Sequence, residues 1–288
     1  MRTRLFILWI YCLLLTSCEP DNSVITRQKI VLSGFINELG IFASLYLSSD
    51  LNATTYDTID DALLLLYEDN KLLGEMLMND YGYYHCDYDA IPDCTYKLEA
   101  HIPDRPIVWV ETKMPVRVPF DYIGIQSSGD GMALQIAFTD PIGEENFYHV
   151  DATANTPWLY SMFPQPDPVF DHYSSPFERN VVWSSLNFND KMINGQRYVL
   201  DYWFNVNSDQ QVTDSFSIVV NFGARSYSAY WEYYTYEMQG YQLKDPYSEP
   251  VQVFSNAVNG IGCFTAQNMK RDTLVCRYTG NGQWSINH

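Results

Sequence analysis

Cys18 is the residue whose setting most clearly prescribes a chemistry. It closes the tetrad Leu15-Thr16-Ser17-Cys18, behind basic Arg2 and Arg4 and an apolar run from Leu5 to Leu15. Basic start, apolar middle and small residues before a cut are the layout of a cleaved secretory signal, and the run is too short for a transmembrane span. A cysteine directly after the cut is suited to thiol-linked lipid attachment, because a thiolate is a strong nucleophile. Residues 1–17 are therefore expected to be a lipoprotein signal peptide, Cys18 the lipid attachment point and residues 18–28 a polar tether.

Four further cysteines follow: Cys86, Cys94, Cys263 and Cys276. An exported chain can form disulfides, and four cysteines allow three pairings. Local bridges Cys86–Cys94 and Cys263–Cys276 are the expected choice, each joining neighbouring strands across a short connection, with free buried thiols as the alternative. A zinc site is not expected, since no CxxC and no close pair of histidines occurs; His85, His101, His149, His172 and His288 are scattered. Asp87, Asp89 and Asp93 could offer oxygens to Ca²⁺, but they lack the glycine and glutamate of an EF-hand loop and read as a solvated turn. GxSxG, HExxH and phosphate-loop patterns are absent, so no catalytic residue is assigned and no cofactor is expected. Glycosidase carboxylates can lie far apart in sequence, and among 35 acidic residues no pair stands out.

The elements that would position such groups are mostly strands. Ile30–Ile36, Phe42–Leu47, Ala62–Tyr67, Leu72–Met78, Tyr83–Cys86, Thr95–Ala100 and Ile107–Lys113 are apolar or alternating runs separated by turn residues, with Glu68-Asp69-Asn70-Lys71 a hairpin turn. Their close spacing argues for an immunoglobulin-like β-sandwich over residues 29–118, with Pro115 and Pro119 at its exit. Residues 119–288 then form a second β-rich domain, with strands at Met132–Phe138, Asn146–Val150, Arg197–Phe204, Phe216–Phe222, Val251–Phe254 and Thr273–Tyr278. One helix is expected over about 226–240. Tyr227, Trp231, Tyr234, Met238 and Tyr241 fall on one helical face, and Gly240 suits the C-terminal cap. The proline-rich stretch Thr156–Pro176 reads as a long irregular loop, whose Trp158, Phe163 and Tyr173 are candidate ligand contacts; the alternative is that they pack onto the sheet.

Charge narrows the partners. The chain carries 17 Lys+Arg against 35 Asp+Glu, a formal −18; without the two signal arginines, 15 against 35 leaves −20. Such a field repels nucleic acid and anionic headgroups, and attracts cations or basic surfaces. The abundant aromatics (23 Tyr, 15 Phe, 7 Trp) suit strand cores and cross-strand pairs, and are also common on sugar-binding surfaces.

Taken together, the anchor cysteine, the opening strand Val31-Leu32-Ser33-Gly34-Phe35-Ile36, the exit Thr112-Lys113-Met114-Pro115, the tyrosine-rich helix and the run from Pro250 to Phe264 carry a resemblance. Within that run, Ser255-Asn256 and Asn259-Gly260-Ile261-Gly262-Cys263-Phe264 are the most specific part. The chain resembles a Bacteroidota outer-membrane lipoprotein family, domain of unknown function 4249, over nearly its whole mature length. Ala257 and Cys263 stand where that family usually has aliphatic residues, and Thr265-Ala266 replace its usual small residues. The resemblance implies two β-rich domains and an outer-membrane lipoprotein, often encoded beside TonB-dependent transporters; it implies no catalytic residues. The acidic stretch Glu19–Asn22 also resembles surface-export signals of some lipoproteins of that phylum, which implies cell-surface exposure. The expected function is a non-catalytic accessory or ligand-binding lipoprotein, with a structural or adhesion role toward a protein or glycan as the alternative, and a surface hydrolase as a third. Independently of family, Asn259-Gly260 is a turn signal, and Ser255 and Asn256 can satisfy turn amides, which favours a structural role for the motif.

Overall fold

The computed structural model describes residues 28–48, 57–128, 131–154, 159–165, 167–170, 185–206, 215–242, 252–280 and 283–287. The chain is mainly β, as expected, with a β-sandwich at its N-terminal end, a second β-rich unit and, among the described residues, one helix. Among the described residues no helix is long and apolar enough to cross a membrane.

The first sandwich begins with β1 (Ile30–Asn37) and β2 (Gly40–Leu47), antiparallel in continuous register from Ile30↔Leu47 to Asn37↔Gly40. Strands β3 (Asp57–Thr58), β6 (Leu77–Met78) and β7 (Tyr84–Cys86) extend this sheet. The facing sheet holds β4 (Leu63–Glu68), β5 (Lys71–Glu75), β8 (Thr95–His101) and β9 (Val108–Lys113), in the order β5-β4-β8-β9. Alternation places Leu32, Ile36, Ile41 and Leu45 inward against Leu64, Leu66, Leu98 and Val110. The hairpin expected at Glu68–Lys71 forms with Asp69 and Asn70 at φ 47° and 65°, the positive values a two-residue turn demands. The expected single strand Leu72–Met78 is instead split. Buried Met76 donates its N–H to Leu64 O at 2.9 Å, and the chain steps from one sheet to the other around it.

The second unit packs β10 (Phe120–Ser128), β11 (Gly131–Thr139), β15 (Arg197–Val206) and β13 (Leu159–Pro164) against β14 (Ser185–Asn189), β12 (Phe147–Ala154), β16 (Ser215–Arg225), β17 (Phe264–Gly280) and β18 (Gln283–Asn287). Its core is aromatic: Phe138 and Tyr148 lie 5.1 Å apart by ring centroid, and each lies within 4.6 to 6.1 Å of Phe188 and Phe222. Two expectations are corrected here. Leu159–Pro164 is an edge strand on β15 and not irregular loop, and Val251–Phe254 forms no strand among its described residues, 252–254. Edge position reconciles Pro164 with a strand, because an edge can forgo one N–H.

β17 joins the two units. At 17 residues it spans about 55 Å of extended chain. Its first residues run parallel to β1 (Gly34↔Phe264 to Ile36↔Ala266), while Gln267–Arg277 pair antiparallel with β16. Phe264 and Ala266 are accordingly buried in the first core, and Leu274 and Cys276 in the second. Residues 29–118 thus need a C-terminal strand to complete their sheet.

The helix α1 (Tyr227–Gln242) starts one residue after Ser226, whose Oγ accepts the Ala229 N–H at 3.2 Å as an N-cap. The same hydroxyl takes the Ala266 N–H at 3.0 Å, so the helix start is tied to β17. Its most buried residues are Ser228, Ala229 and Tyr230, with the Tyr230 ring 4.7 Å from Phe147 and tilted at 35° to it. On the face expected to be core, Tyr227 is 56% exposed while Trp231 and Tyr234 are half-buried, and Gly240, expected as the C-terminal cap, lies inside the helix.

Candidate functional site

The sequence-derived candidates do not converge. Cys18, Trp158 and Tyr173 lie outside the described residues, as does the tether save its last residue, and Phe163 is placed only by its backbone, opposite Trp203 on β15. All four later cysteines are free thiols, which corrects the expected bridges. Cys263 and Cys276 sit at the start and near the end of one continuous extended segment, roughly 40 Å apart, far beyond disulfide reach. Cys86 and Cys94 each pack against the first core as unbridged thiols. Burial raises the pKa of all four, and takes Cys276 up to about 12, so none is primed as a nucleophile. In the Asp87–Asp93 turn, Asp93 pairs with Lys113 Nζ at 2.6 Å and Asp87 lies 3.2 Å from His85 Nε2.

The C-terminal motif is a clasp. Asn256 Nδ2 donates to Glu111 O at 2.7 Å and to Phe264 O at 3.0 Å, while its Oδ1 accepts the Phe264 N–H at 2.9 Å. Ser255 Oγ donates to Gly262 O at 2.8 Å and accepts the Gly262 N–H at 3.1 Å. Asn259, at φ 61°, sends Nδ2 to Ile107 O at 3.0 Å. Gly262 has φ 124°, and a Cβ there would lie 2.1 Å from Leu32 O. These residues seat the entry of β17 between β1 and β9. Ser228 reinforces them by donating to Phe264 O at 2.6 Å and lying 3.0 Å from Thr112 Oγ1.

Beside this clasp the outer face of the first sheet forms a trough of about 410 Å³. Strand register builds it. One outward row runs Thr265–Phe35–Phe42–His85–Leu77 across five strands. In it, Phe35 and Phe42 stack at 4.7 Å and 12°, and Phe42 and His85 at 4.5 Å and 24°. The centroid spacing equals the strand spacing, so the rings stand upright, face to face, and the free face of Phe35 turns toward the small residue Thr265. The adjacent row is small: Ser44 opposes Ser33, and Cys263 follows where β17 enters. Tyr83, 58% exposed, and Glu232 of α1 also line the trough.

Polar groups in the trough are available to a ligand. Ser33, Ser44 and the Glu232 carboxylate have no hydrogen-bond or ion-pair partner among the described residues. Burial raises the Glu232 pKa and the Arg225 charge opposes that rise. Arg225 lies outside ion-pair distance, and burial lowers its pKa to about 10. Its guanidinium sits 5.9 Å from the Tyr233 ring centroid, and its Nε is buried without a hydrogen-bond partner. The trough therefore combines an aromatic wall, a hydroxyl floor and a desolvated carboxylate, at the junction of two packed units where ligand sites commonly lie. No spacing signal in the sequence could have found it, because its residues come from β1, β2, the approach to β7, α1 and the entry to β17.

No curated protein matches this chain. Among solved structures, the crystal structure of the collagen adhesin from S. aureus is similar at 9% identity, covering 88% of this chain and 97% of that one, with a TM-score of 0.22, below the range of a shared fold. Residues 16–273 match the family described as Domain of unknown function (DUF4249), and the chain belongs to that family.

Proposed function

We propose that this protein is a non-catalytic, lipid-anchored outer-membrane lipoprotein that captures a ligand as an accessory to a TonB-dependent transporter. The observation that carries the capture role is the trough, with stacked Phe35 and Phe42 beside unpartnered Ser33, Ser44 and Glu232. The tetrad Leu15–Cys18 supports the anchor, and membership of the family supports the envelope setting. The raised thiol pKa values and the dispersion of His85, His101 and His149 over separate strands favour binding over turnover. Affinity purification of the full chain from detergent-solubilised membranes tests the assignment. A transporter should co-purify in stoichiometric amount and be lost when Cys18→Ala prevents anchoring. Recovery of no transporter, under conditions that preserve other envelope complexes, would overturn it.

A further inference from the structure

A carboxylate withdrawn from water is costly unless a counter-charge or several donors meet it. Glu232 has no hydrogen-bond or ion-pair partner among the described residues, the Arg225 charge acting on it only from beyond ion-pair distance, and it lines a trough in which Phe35 presents a free face. Thr265, paired with Phe35, and Cys263, both small, line the same trough as that carboxylate. A carboxylate set across a slot from an aromatic face is the environment a delocalised cation prefers, since both the charge and the ring quadrupole attract it. The formal −18 of the chain favours arrival of such a ligand over that of an anion. Resting on the reading of the trough as the ligand site, we infer that it selects a cationic head group, a guanidinium or amidinium, seated between Glu232 and Phe35, with an apolar body lying along Ser33 and Ser44 toward Tyr83.

Saturation-transfer NMR and calorimetry on the full chain in detergent test this with benzamidinium against its neutral isostere benzamide. A second arm compares acetyl-Gly-Arg-Trp-amide with the same peptide carrying citrulline. Each cation should bind about tenfold or more tightly than its neutral partner, equivalent to about 1.4 kcal/mol. Glu232→Gln should erase that difference while leaving the neutral probes unchanged, and Ser44→Trp, which fills the floor, should abolish all binding. Tighter binding of the peptide than of benzamidinium would identify the source as an arginine of a partner protein; the reverse order would identify a free small cation. Equal binding of cation and neutral isostere, still blocked by Ser44→Trp, would overturn the cation selectivity and leave the trough as the ligand site. Absence of binding by every probe would overturn the selectivity as well.

Discussion

Lowering the pH from 7 to 5 will weaken this fold by about 2 kcal/mol through one side chain, His149. It lies on β12 with Nδ1 3.2 Å from Asn187 Oδ1, mostly buried and close to the Arg225 charge. Burial first and Arg225 second depress its pKa to about 3, against the bond to Asn187. In the unfolded chain the imidazole titrates near 6.5. Between those values the unfolded state holds a proton that the folded state does not, so stability falls with pH by about 1.4 kcal/mol per unit. From 6.5 to 5 that amounts to about 2 kcal/mol, and because pH 5 stands well above the folded value, a shift of one unit in that value leaves the figure unchanged. Asp140 and Glu232, whose pKa values burial raises, act with the opposite sign and gain stability as the pH falls. The effect of His149 is therefore read as a difference. Urea unfolding of the wild type and of His149→Gln, which retains a donor for Asn187, is measured at pH 7 and pH 5 at one ionic strength. The wild type should lose about 2 kcal/mol more than the variant. Equal pH dependence of the two proteins would refute the reasoning.

Gly262→Ala should destabilise by at least about 2 kcal/mol in the same assay, since its φ and the Leu32 carbonyl both reject a Cβ; a change below about 0.5 kcal/mol would place the clasp differently. Asn256→Ala removes three hydrogen bonds that join β9 and β17, and should cost about 2 kcal/mol; retention of the wild-type midpoint would contradict the clasp. Alkylation after denaturation without reductant should mark Cys86, Cys94, Cys263 and Cys276 alike in peptide mass spectrometry; a linked Cys86–Cys94 peptide would contradict the free-thiol state.

Local order was legible in the residues, and long-range order was not. Alternation in Ile30–Ile36 and the Asp69-Asn70 turn determined β1, β4 and β5, because each rests on neighbours in sequence. The parallel pairing of Gly34 with Phe264 bridges more than two hundred residues and leaves no local signature. That pairing is also why Cys263 and Cys276 misled: a spacing that suits a hairpin instead falls on one extended segment. The helix was placed almost to the residue by its aromatic period, yet its most buried residues are Ser228, Ala229 and Tyr230 rather than Tyr227. Small Ser228 and Ala229 approach β17 more closely than Tyr227 can. The trough was hidden for the same reason as the strand pairing: Phe35, Phe42 and His85 become a stack only once three strands are in register. The clasp lay in plain view, since Ser255, Asn256, Asn259 and Gly262 carry side-chain and φ requirements that the sequence states directly.

The most direct test of the capture role is a binding screen of the full chain against glycan and peptide arrays, run in parallel with Ser44→Trp. The trough predicts at least one class bound by the wild type and lost in the variant, with both proteins equally folded by circular dichroism. Binding that survives Ser44→Trp unchanged, or no binding by the wild type to either array, would contradict it.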